Sequence, residues 1–213
     1  MSITAFNAPA QTGDTAGAAL IGAASAGDAE RVRQLIRDKA PLDAQDDQGR
    51  TALLMAVEQD RVEIAHALLA AGASVNVQAQ NRDTPWLLAG ALGRTEILRE
   101  MIPVRPDLSI RNRYGGNALI PACERGHVEA IRLLLTTAID VNHVNNLGWT
   151  CLLEIVILGQ GGPRHIEAAR LVLQAGADPN LADKNGVTPL THARAKGQGE
   201  VARLIEAAGG VSR

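Results

Sequence analysis

Aromatic side chains are scarce in this sequence, whose 213 residues include two tryptophans, one tyrosine and one phenylalanine. Apolar residues nevertheless make up 46% of the chain, so its core has to be built from Ala, Leu, Val and Ile side chains. Small aliphatic side chains fill the space between closely stacked elements better than the centre of a bulky globule. The composition therefore favours thin, closely packed helices.

Cysteine is also rare, and the two cysteines, Cys123 and Cys151, do not form a CxxC pair. One potential disulfide is not the framework that stabilises small secreted domains. Both residues lie in apolar helical stretches, where a free cysteine behaves as a small core residue. The sequence therefore predicts two unpaired core thiols and, by default, a reducing, cytoplasmic location.

Long apolar runs and a strong net charge are missing as well. No run of 18 apolar residues occurs, which excludes a transmembrane helix. The segment MSITAFNAPAQTGDTAG lacks the basic region and the continuous apolar region of a secretory signal. A formal net charge of −2 creates no field that would attract nucleic acid or an anionic membrane. Neither is therefore expected as a partner.

The chain does contain an internal repeat. The segments GRTALLMAVEQD, GGNALIPACERG, GWTCLLEIVILG and GVTPLTHARAKG share the order Gly, any residue, Thr or Asn, a small residue or Pro, and then Leu. The Thr or Asn anchors lie 33 residues apart, except for a last spacing of 38, and they are Thr51, Thr84, Asn117, Thr150 and Thr188. Extending the register back by 33 residues reaches Ala18, so six units fit the chain.

Each unit is predicted to contain two helices. The anchor is typical of an N-cap, and Pro85 and Pro189 follow it at the first helical position, where a missing N–H is not needed. A second segment, such as HVEAIRLLLTTAIDVN, places its apolar residues on one helical face. Gly72 and Gly176 stand where a helix ends in a left-handed residue. The predicted unit is a turn, a short helix, a tight loop, a second helix and an extended return.

This pattern resembles the ankyrin-repeat family through its period and through Thr188-Pro189-Leu190 and Gly176-Ala177-Asp178-Pro179-Asn180, over about residues 18–210. The resemblance implies an all-α solenoid of six stacked helix-turn-helix units with short β-hairpin-like turns. The family usually carries His three residues after the anchor. The residues here are Leu54, Leu87, Ile120, Leu153 and Thr191, so apolar packing is expected to replace that polar network.

In this register, residues 1–17 form an N-terminal tail that is expected to be loose, because its residues are small and polar. The repeats occupy about residues 18–46, 47–79, 80–112, 113–145, 146–183 and 184–213. The stretch LGQGGPRHIE is not a phosphate-binding loop, because no Lys-Ser/Thr follows its glycines. Its five extra residues, 160–164, explain the longer spacing and predict an inserted loop. The Ala/Arg-rich, Lys-poor composition suggests a bacterial source.

The resemblance implies a non-catalytic interaction module that binds a partner protein in the concave groove formed by the turns and first helices. The five histidines show no ligand spacing with cysteine or with one another, so no metal, cofactor or catalytic residue is predicted. One alternative is a regulatory or protective accessory subunit of an enzyme, using the same surface. The other is a small-ligand-binding or enzymatic protein that uses the loop 159–165.

The family's groove positions, transferred to this sequence, give a candidate partner-binding surface. Tyr114 and Trp149 stand out within it, because such residues dominate interface energies and the repeat core requires no aromatic at turn positions. An alternative for Trp149 is packing back onto the neighbouring hairpin. The candidate set is Arg50, Glu58, Asp83, Leu92, Arg113, Tyr114, Glu124, Arg125, Leu147, Trp149, Ile157, Leu158, Arg164 and Lys196.

Two features distinguish the third repeat. Trp86 replaces the repeat Leu and is expected to point inward, with Gly90 one turn later making room for its indole. Pro103 is expected to end the second helix of this repeat early and to bend the chain there.

Overall fold

The computed structural model describes residues 12–212 as a stack of six helix pairs, and no β-strand occurs in this range. Odd-numbered helices pack on one another in chain order, and so do the even-numbered ones, with the core between the two rows. A short 3-10 helix, Ile102–Val104, follows α6. The helices are α1 (Thr12–Ala26), α2 (Ala29–Arg37), α3 (Ala52–Glu58), α4 (Val62–Ala70), α5 (Pro85–Leu92), α6 (Thr95–Met101), α7 (Leu119–Arg125), α8 (Val128–Leu134), α9 (Cys151–Ile157), α10 (Pro163–Gln174), α11 (Pro189–Ala195) and α12 (Gly199–Ala207).

The first helix begins at Thr12, inside the segment that the sequence assigns to a tail. Residues 1–11 and residue 213 lie outside those that the structure describes, and so does the corresponding part of the tail prediction.

The sequence anchors cap the first helices, as predicted. The Oγ1 atoms of Thr51, Thr84 and Thr150 accept hydrogen bonds of 3.1–3.2 Å from the backbone N–H three residues later. Thr188 makes the same bond at 3.4 Å, and Asn117 Oδ1 accepts two backbone N–H groups at 3.1 and 3.3 Å. Each cap satisfies an N–H that a helix leaves unpaired in its first turn. The anchors therefore fix where these helices begin.

The following repeat caps the last carbonyls of α3, α7 and α9. Arg94 donates to two carbonyls in the last turn of α3, at 3.1 and 2.8 Å. His165 Nε2 lies 3.0 Å from the carbonyl oxygen of Glu124, and Gln198 Nε2 donates to that of Val156 at 3.1 Å. These three capping residues occupy the same register position in their repeats. Because a helix end leaves carbonyls without partners, each of these bonds ties one repeat to the next.

Hairpin-like turns connect the repeats at one edge of the stack. In the turn before α9, Asn145 N–H donates to the Trp149 carbonyl at 3.0 Å, and Gly148 N–H donates to the Asn145 carbonyl at 2.9 Å. The same two bonds close the turns before α3, α5, α7 and α11. The turn needs a left-handed residue at the position of Gly148, and four turns place Gly there. The third repeat instead uses Arg82, with a φ of 66°.

Aliphatic residues fill the core. Leu54, Leu87, Ile120 and Leu153 stand where the family usually has His, and each is at most 5% exposed. Apolar packing therefore replaces the polar network, as expected. The indole of Trp86 also points inward, and this residue is 2% exposed.

Gly90 lies close to Ala118 of the next repeat. A Cβ atom on Gly90 would lie 2.6 Å from the Ala118 carbonyl oxygen and 2.9 Å from Ala118 Cβ. The missing side chain therefore lets α5 approach the next repeat closely. That Gly90 also makes room for the Trp86 indole stays a prediction.

Pro103 ends the second helix of the third repeat early, as predicted. Helix α6 stops at Met101, and Pro103 lies within the 3-10 turn that follows. Arg105 then adopts a left-handed conformation with a φ of 55°. Because Pro has no backbone N–H and its ring crowds the preceding turn, the α-helical hydrogen-bond pattern cannot continue through it.

The two cysteines form a disulfide bond, so the prediction of unpaired thiols was wrong. Cys123 lies in α7 and Cys151 begins α9, and their Cα atoms are 5.5 Å apart. Both residues are at most 1% exposed. Stacking of successive first helices brings together two residues that are 28 positions apart in the chain. Closing a loop of that size stabilises a protein by about 3.6 kcal/mol, and here the bond joins repeats four and five.

Replacing Arg82 with Gly is expected to stabilise the protein by roughly 0.5–1 kcal/mol, because a residue with a Cβ atom is strained in the left-handed region. Gly186→Ala is the matched control: its φ is 78° and an added Cβ would meet no atom within 4 Å. It should lower stability by a similar amount. Urea denaturation measures both changes, and an Arg82→Gly protein no more stable than wild type would contradict the strain argument.

Candidate partner-binding site

A cavity of about 330 Å³ opens between repeats four and five, on the side of the turns and first helices. Its walls come from the turns before α7 and α9 and from these two helices. The lining residues are Asn112, Arg113, Tyr114, Gly116, Ile120, Pro121, Glu124, Arg125, Asn145, Leu147, Glu154 and Leu158. Six of them belong to the set named from the sequence, namely Arg113, Tyr114, Glu124, Arg125, Leu147 and Leu158. The stack therefore gathers nearly half of the predicted surface around one cavity.

Three largely apolar side chains at the rim of the cavity are exposed. Tyr114, Leu147 and Leu158 are 52%, 49% and 48% exposed. The first two sit in the turns before α7 and α9, and Leu158 follows the last residue of α9. Their positions at turns and at a helix end keep them out of the core between the helix rows, so they form an apolar patch facing solvent.

The two arginines at the rim already have partners. Arg125 Nη1 donates to the Ala91 carbonyl of repeat three at 2.5 Å. The guanidinium of Arg113 lies over the Tyr114 ring, 4.9 Å from its centroid, and 4.0 Å from a carboxylate oxygen of Asp83. Burial raises the pKa of Asp83, and the nearby Arg113 partly opposes that rise. Both guanidinium groups are thus engaged with the preceding repeat or with the rim itself.

Glu154 forms the floor of the cavity. The residue is 4% exposed, and its Oε1 accepts a hydrogen bond from Asn145 Nδ2 at 2.9 Å. Its Oε2 has no hydrogen-bond partner among the residues that the structure describes. Burial raises the pKa of Glu154 to about 7, and the neighbouring charge of Glu124 adds to this rise. The floor thus carries a carboxyl group that titrates near neutral pH.

The sixth repeat contains a side-chain hydrogen bond that corresponds to the one between Asn145 and Glu154. Asp183 and His192 occupy the register positions of Asn145 and Glu154, and Asp183 Oδ2 lies 2.9 Å from His192 Nε2. Burial acts to raise the pKa of Asp183, but hydrogen bonds from His192 and from two backbone N–H groups outweigh it and lower the pKa. In the sixth repeat the link forms without leaving a buried side-chain atom of Asp183 or His192 unpaired. In the fifth repeat the same link leaves Oε2 of Glu154 unpaired.

Glu154 was missed from the sequence, although the repeat register contains a signal for it. The residue four positions after each anchor is Met55, Leu88, Pro121, Glu154 or His192. Glu154 is the one acid in this series, at a position where the three preceding repeats have apolar residues. A buried carboxyl group is costly, so such a departure within a repeat indicates a special role.

The remaining candidates lie apart from the cavity lining. Trp149 and Ile157 are partly buried and pack against the core. Arg50 pairs with Asp46 at 2.8 Å, and Lys196 Nζ donates to the Ile157 carbonyl at 2.6 Å. The others are Glu58, Leu92, Asp83 and Arg164, of which Asp83 reaches the rim through Arg113.

Of the five inserted residues, 160–162 form a loop, as predicted, whereas Pro163 and Arg164 lengthen α10, and none of the five lines the cavity. Helix α10 begins at Pro163 and contains 12 residues, whereas the second helices of the other repeats contain 7 to 9. His165, the last residue of the loop 159–165 that the enzymatic alternative would use, is 9% exposed and caps the Glu124 carbonyl. Its ring therefore belongs to the contact between repeats.

The chain belongs to the ankyrin-repeat family. A family profile described as ankyrin repeats (3 copies) matches residues 5–79 and 86–183, which is most of the sequence. Ankyrin repeats are generally protein–protein interaction modules, and their fold is typically a non-enzymatic scaffold. No curated protein sequence matches the chain.

Solved structures of ankyrin-repeat proteins are similar to this chain over most of its length. An ankyrin-repeat domain from Acinetobacter baumannii is 47% identical, with a TM-score of 0.87, covering 90% of this chain and 98% of that one. The ankyrin-repeat protein EF0377 is 39% identical, with a TM-score of 0.86 and coverages of 89% and 97%. The ankyrin-repeat domain of Bcl-3, a member of the IκB family, is 25% identical, with a TM-score of 0.79 and coverages of 91% and 86%.

Glu154 should make the protein less stable as the pH rises. Its pKa is raised from 4.5 to about 7, so the folded protein keeps a proton that the unfolded chain releases between these values. The contribution of Glu154 to the free energy of unfolding is therefore constant below about pH 4.5. It falls by on the order of 3 kcal/mol as the pH rises to about 7.

The Glu154→Gln variant isolates this effect, because its side chain does not titrate. The difference in unfolding free energy between the variant and wild type should favour the variant more at about pH 8 than at about pH 5. Any pH-independent cost of the amide is the same at both pH values and cancels. Urea denaturation at both pH values measures the difference. Glu58→Gln, an exposed acid in repeat two, is the control, and an equally small pH effect in both variants would contradict the prediction.

Proposed function

We propose that this chain is a non-catalytic module that binds a partner protein on the face formed by the hairpin-like turns and first helices. The observation that carries the proposal is the cavity between repeats four and five, with Tyr114, Leu147 and Leu158 half-exposed at its rim. Exposed apolar patches mark interaction sites, and Tyr is enriched among residues that dominate interface energies. An accessory subunit of an enzyme would use the same face and would differ only in what binding does to the partner.

The proposed partner is a protein and not a nucleic acid or a membrane surface. A net charge of −2 supplies no long-range attraction for polyanions. The arginines at the cavity are engaged with Ala91, Tyr114 and Asp83, which leaves no cluster of unpaired cations there. Among residues 12–212, no helix is both long and apolar enough to cross a bilayer. No metal or cofactor is part of the proposal.

Capture experiments with labelled full-length chain test the proposed face. The double variant Tyr114→Ala/Leu158→Ala should retain at least about tenfold less of a specific lysate protein than wild type, because truncating central interface residues costs 1–2 kcal/mol each or more. Val104→Ala is the matched control, since Val104 is 48% exposed and lies outside the cavity lining. Quantitative mass spectrometry compares the baits. A supporting result is a protein that wild type and Val104→Ala both retain more strongly than the double variant does. If there is no such protein, the proposal fails.

The disulfide bears on the location of the protein. Thiols are kept reduced in the cytosol, whereas disulfides persist in oxidising compartments. The bond between Cys123 and Cys151 therefore favours an oxidising compartment over the cytoplasm suggested by the composition. The test is to quench source cells with acid and to alkylate their denatured protein before and after reduction. Both cysteines should resist alkylation until the disulfide is reduced. Alkylation of both cysteines before reduction would instead favour the cytoplasm.

A further inference from the structure

The cavity between repeats four and five contains two carboxyl groups, and neither arginine of its lining forms an ion pair with them. Glu154 forms its floor and Glu124 its wall, and within residues 12–212 neither carboxylate has an ion-pair partner at 4.0 Å or less. Oε2 of Glu154 accepts no hydrogen bond, although the residue is only 4% exposed. A buried acceptor without a donor is costly, so a ligand that supplies one gains that energy on binding.

The nearby arginines do not fill this role. Arg125 donates to the Ala91 carbonyl, and Arg113 lies between the Tyr114 ring and Asp83. Both guanidinium groups are therefore directed at partners other than the two cavity carboxylates. The cavity combines an acidic floor with a rim that is largely apolar.

We infer that this cavity binds one basic side chain, a lysine or an arginine, presented by the partner protein. The inference rests on the proposed function and adds the chemistry of the residue that enters the site.

A basic side chain matches each part of the cavity. Its N–H groups supply the donor that Glu154 Oε2 lacks, and its charge compensates the carboxylates in a charge-assisted hydrogen bond. Its methylene stem can pack along Ile120, Leu147 and Leu158 while the charged head stays with the acids. Tyr114 adds an aromatic ring, which attracts cations. The walls thus complement both ends of such a side chain.

The donor has to pass the lining side chains to reach its acceptor, because Oε2 of Glu154 is itself covered. Tyr114, Leu147 and Leu158 are each about half-exposed, so they have room to change rotamer. Side-chain rearrangements of this kind are common when proteins bind, even where the backbone stays in place. Entry therefore requires no movement of α7 or α9, which the disulfide holds together.

An acidic side chain fits less well. It would approach Glu154 and Glu124, whose like charges oppose it in a partly buried site. It would also have to draw Arg113 or Arg125 away from their present partners. A neutral apolar side chain would cover Oε2 of Glu154 without supplying a donor, which leaves the buried acceptor unpaired.

Small probes test the cavity without knowledge of the partner. The probes n-propylguanidinium and n-butylammonium carry the two possible head groups, n-propylurea is a neutral counterpart, and propionate is the anionic one. Each is titrated into the ¹⁵N-labelled full chain at about pH 8, above the Glu154 pKa of about 7. Saturable shifts of amides around Asn145 and Glu154 are expected with at least one cation, with a Kd on the order of 1–10 mM. The urea and propionate should give none.

Matched variants then locate the binding charge. Glu154→Gln is expected to weaken cation binding at least about tenfold. Glu124→Gln removes a charge and leaves the floor of the cavity intact, and it should weaken cation binding about threefold. This variant therefore measures the effect of lost charge without a change at Glu154. Glu96→Gln removes an exposed charge on α6, outside the candidate surface, and should bind like wild type. Amide dispersion in the same spectra confirms that each variant is folded.

The inference is overturned by any of three results: no saturation by either cation up to about 100 mM, comparable binding of n-propylurea or propionate, or unchanged cation affinity in folded Glu154→Gln. The capture experiment separates this inference from the proposed function. A partner retained equally by wild type and Glu154→Gln would refute the basic side chain and leave the interaction role intact. If no partner is captured, the interaction role fails, and the probe titration still decides whether the cavity binds cations.

Discussion

Hydrogen bonds from one repeat to the last carbonyls of the preceding repeat hold this stack in register. The first helices α3, α5, α7, α9 and α11 contain only seven or eight residues, so much of their backbone lies at an end. Their first N–H groups are capped locally by the Thr or Asn anchors. The last carbonyls of α3, α7 and α9 depend on the next repeat, through Arg94, His165 and Gln198 respectively. Stability therefore accumulates through contacts between neighbours, as in other solenoids.

This capping explains how the chain accommodates five extra residues. Residues 160–164 lie between the two helices of the fifth repeat, and His165 still reaches the Glu124 carbonyl of the repeat before it. On the other side, Gln198 donates to the carbonyls of Val156 and Gly159, at 3.1 and 3.0 Å. The insert changes the length of α10 and leaves both sets of caps in place. Its effect stays local because neither adjacent contact depends on the length of the connection.

The period, the caps and the buried face could be predicted from the sequence because each depends on residues close together in the chain. Thr150 caps its own helix, and Pro103 ends its own helix. The disulfide and the role of Gly90 could not be predicted in that way, since both depend on how one repeat approaches the next. About half of the candidate surface lies around one cavity, because turn positions repeat every 33 residues. The floor at Glu154 was missed, because a search for groove positions considers exposed residues and not an acid beneath them.

The contact between repeats four and five differs from the others in a way that a repeat architecture permits. An unpaired carboxyl group at the centre of a globular core would disturb packing on every side, whereas Glu154 affects mainly the helices stacked directly against it. The same contact contains the disulfide, whose loop closure contributes about 3.6 kcal/mol, of the same order as the cost of ionising Glu154 near neutral pH. The bond also fixes the separation of α7 and α9, which carry the cavity walls. A site whose walls are already in place loses less conformational freedom on binding. The covalent link can therefore offset the local destabilisation and preorganise the cavity at the contact that contains the buried, incompletely paired Glu154.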